Sequence, residues 1–237
     1  MKNSKCLIIV PIYNEYDNID FIVNDLSKTS HDVLFIDDCS TDNSYQRLLS
    51  LGLNVIHLSV NLGIGGCVQT GYLYAFNHNY DMAIQYDGDG QHCLEYVDSL
   101  IEGINEGYDY VIGSRYIDQN NAGFQSSHAR RIGIKILSTI IKVMTGKRVL
   151  DVTSGFRAIN KDVIECFCRY YPDDYPEPEV VGLLLKDGYK VQERHVLMRD
   201  RHQGASSIKV FKSIYYMVKV ALSIIIMSSR YAKKELS

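Results

Sequence analysis

Short apolar runs alternate along the chain with longer segments in which apolar residues recur every three or four positions. Residues 6–12, Cys-Leu-Ile-Ile-Val-Pro-Ile, are almost wholly apolar, the pattern of a strand covered on both faces in a parallel sheet. The run ends in Tyr13-Asn14-Glu15, after which Ile19, Ile22, Val23 and Leu26 fall at helical spacing behind a cap at Asp17 or Asn18. The same unit repeats in kind. A strand at 33–36 leads to a turn at Asp37-Asp38-Cys39-Ser40 and a helix opened by Thr41 or Asp42. A strand at 54–59 leads to Asn61-Leu62-Gly63-Ile64-Gly65-Gly66 and a helix to about residue 78. A fourth strand starts near Asp81, and a fifth, 109–113, ends in Gly113-Ser114-Arg115-Tyr116. Alternation at this spacing predicts an α/β fold with a doubly wound, mostly parallel sheet flanked by helices.

In the second half, the polar residues 117–127 predict a loop over the site, followed by a helix at 128–145. Asp151 to Arg157 reads as a short strand or turn, then a helix at 161–170, a helix starting at Tyr175-Pro176-Glu177 and a strand at 189–198. No internal repeat or low-complexity linker divides residues 1–207, which are expected to form one domain.

In open α/β sheets, ligands bind beyond the carboxyl ends of the strands. That rule gathers Tyr13, Glu15, Asp37, Asp38, Asp87, Asp89 and Arg115 along one edge. The most informative stretch is Asp87-Gly88-Asp89-Gly90-Gln91-His92, where the fourth strand runs into two carboxylates separated by one glycine. Side chains two apart on extended backbone project to one side, and two anions so placed repel unless a cation sits between them. Hard oxygen donors from Asp87 and Asp89, with Gln91 as a neutral third, suit Mg2+ or Mn2+ completed by substrate phosphates. The competing reading is an acidic, glycine-rich turn. A dinucleotide fold is disfavoured, because no Gly-x-Gly-x-x-Gly follows the first strand. His92 and His128 are read as structural.

Composition adds two points. The chain has 237 residues, 46% of them hydrophobic and 22% charged, enough to bury a core. Its six cysteines are scattered without Cys-x-x-Cys spacing, and no secretory signal opens the sequence, so a reducing cytosol is expected. The net charge of −3 hides an asymmetry: residues 208–237 hold six of the 25 Lys and Arg residues and one of the 28 acidic ones, leaving 19 basic against 27 acidic in the remainder. Lys209, Lys212, Tyr216, Lys219, Ser223 and Arg230 recur every three, four or seven positions, and the other faces carry Ile208, Phe211, Ile214, Val218, Leu222 and Ile225. A basic stripe on an apolar helix suits a membrane interface. The apolar stretch from Val220 to Met227 is far short of the roughly 20 residues needed to span. A helix packed on the core, or a homo-oligomer interface, would show the same amphipathicity.

Six motifs occur in an order that resembles a known family. They are Pro11-Ile12-Tyr13-Asn14-Glu15, Asp37-Asp38-Cys39-Ser40, Asp87 to His92, Gly113 to Tyr116, Thr153-Ser154-Gly155-Phe156-Arg157 and Arg201-His202-Gln203-Gly204-Ala205-Ser206. The chain resembles the inverting glycosyltransferases of family 2, with the GT-A fold, in the branch of dolichol-phosphate mannose synthase and bacterial polyprenyl-phosphate glycosyltransferases. The resemblance implies that Pro11, Tyr13, Glu15, Asp37 and Asp38 hold the nucleoside, with Glu15 on the ribose and Asp38 on the base. It implies a metal at Asp87, Asp89 and Gln91, with Asp89 catalytic. Arg115, Arg130, Arg201 and Ser206 would grip the phosphate of a polyprenyl phosphate acceptor, Arg115 and Arg201 also counting as catalytic. A UDP-sugar is favoured over a GDP-sugar, with no nucleic acid as partner and a location at the cytoplasmic face of the membrane.

Each of these roles has a plainer competitor: helix capping for Asp37 and Asp38, and ordinary ion pairs for the arginines. Relatives commonly place a Ser four residues after the second arginine, where this chain has Ile134, so either that contact is lost or Arg131 and Lys135 replace it. The alternatives are the same donor chemistry with a saccharide hydroxyl acceptor, which needs a base from Asp151 or Glu179, and a nucleotide-sugar binding module without turnover.

Truncation after residue 207 is expected to leave a protein that binds its nucleotide sugar but no longer sediments with anionic vesicles. Each Lys or Arg near such a surface contributes about 1 kcal/mol, screened over a Debye length, so full-length binding should weaken as salt rises. Unfolding of the truncated chain, together with a full-length protein that ignores vesicles at low salt, would place the helix on the core instead.

Overall fold

A computed structural model describes residues 4–117, 128–172 and 176–199, together with Lys219 and Leu222. Its centre is β1, Cys6–Ile12, every residue of which is buried. Alternate side chains point to opposite faces, so Leu7 and Ile9 enter one core while Cys6, Ile8, Val10 and Ile12 enter another. A strand apolar on both faces needs a helical layer on each side, and both layers are present.

The remaining elements are α1 (Tyr16–Leu26), β2 (Asp32–Asp37), α2 (Ser44–Ser50), β3 (Val55–His57), α3 (Gly63–Asn77), β4 (Met82–Gln85), α4 (Val97–Asn105), β5 (Tyr110–Ser114), α5 (His128–Thr145), β6 (Arg157–Asn160), α6 (Lys161–Arg169), α7 (Pro176–Lys186) and β7 (Val191–His195). The seven strands form one sheet in the order β3-β2-β1-β4-β6-β5-β7. All run the same way except β6, which is antiparallel to both β4 and β5. Apolar residues of α3, α5, α6 and α7 join the first core, and those of α1, α2 and α4 the second.

The expected fold class stands, with local differences. Helix α1 starts at Tyr16, so Asp17 and Asn18 lie in its first turn instead of capping it. Helix α2 starts at Ser44, with Asn43 at the cap position; Asp42 accepts the Ser44 N–H from outside. The stretch from Asp151 is a turn, and its strand begins only at Arg157. The 117–127 loop beyond Ile117, the helix after residue 207 and hence the boundary there lie outside the described residues; Lys219 and Leu222 are helical and exposed. Among the described residues no helix is long and apolar enough to cross a membrane.

Helix α3 can lie against β1 because Gly71 has no side chain: a Cβ there would come within 2.4 Å of Ile9 Cγ2. Gly71→Ala is expected to destabilise the fold by roughly 1–3 kcal/mol, the usual cost of overpacking a core. Chemical denaturation checks this; an unchanged midpoint would show that α3 shifts without penalty.

Candidate active site

The carboxyl ends of β1, β2, β4 and β5 lie along one edge, and antiparallel β6 brings its amino end to the same edge. Arg157 pairs with Gln85 on one side and Ile112 on the other, so the Ser154-Gly155-Phe156 turn arrives beside the end of β4.

The turns after β1 and β2 are interlocked. Asn14 and Cys39 both have positive φ, 55° and 59°, a strained state for residues other than glycine. The Asn14 side-chain oxygen accepts the N–H groups of Thr41 at 2.8 Å and Asp42 at 3.3 Å, and Ser40 Oγ accepts the Asn14 N–H at 3.0 Å. Ser44 Oγ takes the Glu15 N–H at 3.1 Å. These bonds leave the Tyr13 ring 48% exposed above the edge, open for stacking. Glu15 is half-buried and bonds the Asn18 amide.

The two aspartates at the end of β2 have different surroundings. Asp37 is fully buried, takes His57 Nδ1 at 2.7 Å and accepts the Ser40 N–H at 3.2 Å. It therefore anchors the turn from inside, whereas the resemblance had placed it on the nucleoside. Asp38 is also buried, and accepts the Leu62 N–H at 2.7 Å, just ahead of α3. Burial pushes its carboxyl up, opposed by the Leu62 and Gly63 N–H groups.

At β4, Asp87 and Asp89 are both half-buried. The Gln85 amide donates to Asp87 Oδ1 at 2.8 Å, and Asp89 Oδ1 accepts the Gln91 N–H at 3.1 Å. A Cβ on Gly88 would lie 2.6 Å from the Pro11 carbonyl oxygen, so this turn rests directly on the end of β1. His92 is buried and stacked on Phe156, ring centroids 4.6 Å apart. Its Nδ1 accepts the Asp87 N–H at 3.0 Å, which puts the imidazole proton on Nε2, 3.5 Å from Asp87 Oδ2. Burial pushes His92 down against the pull of Asp87 and Asp89, favouring that neutral form.

Among the described residues, no three or more His, Cys, Asp or Glu side chains gather as a metal-holding group. The donor set still fits a hard divalent ion: two carboxylates on one turn, with the Gln91 amide beside them, would supply part of an oxygen shell and a bound diphosphate the rest. The Gln91 nitrogen faces the Arg199 carbonyl at 3.5 Å, so its oxygen is the atom suited to an ion.

Arg115 has a partner the sequence does not display. Its Nε and Nη2 donate to the two oxygens of Asp151, each at 2.7 Å, and Nη2 also reaches Thr153 Oγ1 at 3.2 Å. The side chains of both ion-pair partners are buried, at 7% and 0% exposed. Burial pulls Arg115 down, but the hydrogen bonds and charge of Asp151, together with Tyr116 and Asp87, outweigh it and leave Arg115 raised. Asp151, committed to this pair, is poorly placed to act as a base. Glu179 is also buried and takes the Tyr170 hydroxyl at 2.7 Å. Ile134 faces the core, while Arg131 and Lys135 on α5 are exposed. The Arg130 side chain, Arg201 and Ser206 lie outside the described residues, as does the His128 side chain.

Sequence reasoning missed Gln85 and Gly155 as supports of Asp87. The glycine at the centre of the Thr153 to Arg157 motif was the available signal for the second.

Residues 7–168 match the family described as Glycosyl transferase family 2. The chain belongs to glycosyl transferase family 2. Among its relatives, the polyprenol monophosphomannose synthase of Mycolicibacterium smegmatis is 26% identical over 229 residues, 92% of this chain and 86% of its own. The UDP-N-acetylglucosamine–dolichyl-phosphate N-acetylglucosaminyltransferase of Methanococcus voltae is 30% identical over 185 residues, 70% of this chain and 73% of its own. The glucosyl-3-phosphoglycerate synthase of Mycobacterium tuberculosis, solved in complex with Mn2+, UDP-glucose and phosphoglyceric acid, matches this glycosyltransferase with a TM-score of 0.71 at 16% identity. That match covers 94% of this chain and 80% of the other. The likeness establishes the GT-A fold.

In this family 2 enzyme the Asp87 carboxylate sits against bare backbone: a Cβ on Gly155 would lie 2.3 Å from Asp87 Oδ2. Gly155→Ala is expected to displace Asp87 and abolish most sugar transfer while the far-ultraviolet circular dichroism spectrum stays native. Full turnover by Gly155→Ala would show that Asp87 need not hold this position.

Proposed function

We propose that this glycosyltransferase moves a sugar from a nucleotide-sugar donor to a polyprenyl phosphate, with inversion and with a divalent metal, at the cytoplasmic face of the membrane. The observation that carries the reading is the pair Asp87 and Asp89 on a supported turn at the carboxyl edge, the edge at which β1 also ends ahead of the exposed Tyr13.

On the donor side, Tyr13 stacks on the base, Asp38 meets a base N–H from the α3 side, and Glu15 meets the ribose hydroxyls, with Pro11 beneath the diphosphate turn. Asp87, Asp89 and Gln91 hold a divalent ion. When bound, that ion neutralises charge on the nucleoside diphosphate as it leaves. A UDP-sugar fits the names of the Methanococcus relative and of the Mycobacterium structure, and Mn2+ that of the latter; Mg2+ has the same oxygen preference.

On the acceptor side, a phosphate monoester oxygen attacks the sugar C1 as the C1–O bond to the diphosphate breaks, giving the inverted sugar phosphate and free nucleoside diphosphate. Such an acceptor is an anion at neutral pH, its second pKa being about 6, so it needs positioning more than deprotonation. This agrees with the commitment of Asp151 and Glu179 to other partners, which disfavours a saccharide hydroxyl acceptor. The names of both relatives carry a polyprenol or dolichyl phosphate product or acceptor. Arg130, Arg201 and Ser206 are the proposed grips, and Arg115, through its pair with Asp151, shapes the same wall. The basic segment 208–237 would bring the enzyme to the lipid surface.

The test is transfer from UDP- and GDP-sugars to a short-chain polyprenyl phosphate, with Mg2+, with Mn2+ and in chelator, against a saccharide acceptor as control. Transfer to the phosphate alone, and only with metal, is expected; Asp89→Asn should lower kcat by about 10²-fold or more with the fold intact, the scale of losing one charge-stabilising group. Undiminished transfer by Asp89→Asn in chelator would end the metal reading, and transfer to the saccharide alone would end the acceptor reading.

A further inference from the structure

The residues after β7 clasp the carboxylate turn. The Arg199 N–H donates to the Gln91 carbonyl at 2.8 Å, and the Gln91 side chain returns to the Arg199 carbonyl at 3.5 Å. The Arg199 guanidinium then continues to α1, where Nη1 donates to Asp25 Oδ2 at 2.9 Å and the group lies over Phe21, 5.3 Å from the ring centroid. The Asp25 side chain is 8% exposed and that of Arg199 36%. The same Asp25 oxygen takes the Tyr86 hydroxyl at 3.0 Å, and that hydroxyl also lies 2.7 Å from the His92 carbonyl. Tyr86 and His92 bracket the segment carrying Asp87 and Asp89, so both of its ends, and Gln91 beside the second, converge on Asp25 and Arg199.

The electrostatics explain why the two come together. Burial pushes the Asp25 carboxyl up, but Arg199, Tyr86 and Lys28 together outweigh it and hold it below its ordinary range. Lys28, at 3.3 Å and 61% exposed, is a screened second cation. Without Arg199, a buried carboxylate would keep mainly a hydroxyl and a solvated amine, and breaking a buried pair is far more damaging than omitting one. Neither Asp25 nor Arg199 belongs to the motifs that carry the family resemblance.

We propose that Arg199 is a positioning residue for the donor half of the site, holding the Tyr86–His92 segment in the conformation that presents Asp87 and Asp89. The effect on donor binding rests on the reading of those carboxylates given under Proposed function; the effect on the segment itself does not. The experiment uses the full chain with Arg199→Met, which keeps length and loses the charge, and Asp25→Asn, which keeps shape and loses the partner. Backbone hydrogen exchange over residues 86–92 should quicken about tenfold in both, the scale of one charge-assisted hydrogen bond, with β1 and β2 unchanged. Arg199→Lys should recover part of the protection, and the double variant should lose little more than either single one. Calorimetric titration with Mn2+ and uridine diphosphate should show about tenfold weaker binding by Arg199→Met. Unchanged exchange over 86–92 in both variants, or equal loosening throughout the protein, overturns the proposal. If exchange quickens locally while the unaltered protein ignores Mn2+ and uridine diphosphate, Arg199 still holds the segment and the metal reading is what fails.

Discussion

Two carboxylates one residue apart on an open turn repel each other, and much of the carboxyl edge is arranged so that this repulsion does not open the turn. Asp87 is held by the Gln85 amide and through its own N–H by His92, and Asp89 by the Gln91 N–H. Two glycines do the rest by what they lack: Gly88 lets the turn lie on Pro11, and Gly155 leaves room for the Asp87 oxygens. Behind them stands Arg157, fully buried, which donates to the Tyr110 hydroxyl and the Ser154 carbonyl and pairs with Glu177 at 3.6 Å. Its grip on Ser154 fixes the turn that faces Asp87.

The reversed strand β6 is what makes that support available. A parallel strand there would place the amino end of Arg157-Ala158-Ile159-Asn160 at the opposite edge and carry Gly155 away from Asp87. Running antiparallel between β4 and β5, it delivers its preceding turn to the place where its neighbours deliver theirs. Ser154 Oγ then donates to the Gly113 carbonyl at 2.7 Å, so the ends of β4, β5 and β6 meet around one small turn.

Most strands of the first half were legible because Cys6 to Ile12, Leu34 to Ile36, Met82 to Ile84 and Tyr110 to Ile112 are apolar runs buried on both faces, a pattern with few other uses. Strand β6 was less so: it has four residues, and it opens with an arginine that only tertiary contacts make compatible with full burial. The aspartates show the same limit. Asp37 and Asp38 are adjacent and chemically alike, and what separates them is His57 on one side and the Leu62 N–H on the other, 20 and 24 residues away. Arg115 was visible as a cation at a strand end, but Asp151, 36 residues on, decides what its fork faces. Spacing revealed which residues reach the edge; partners distant in sequence determine which of them are turned inward.

The clasp through Asn14 bears on selectivity. With the turns after β1 and β2 bonded to each other by the side chains of Asn14, Ser40 and Ser44, the conformational entropy of that wall is removed when the chain folds, before any ligand arrives. A ligand held there, the nucleoside on the proposed reading, would meet a preorganised wall and need not freeze a floppy one, so little of its contact energy would be lost to ordering the protein. The same stiffness would work against imperfect guests: a ligand of the wrong outline would find a wall that does not yield, and discrimination would follow from shape as much as from any single hydrogen bond.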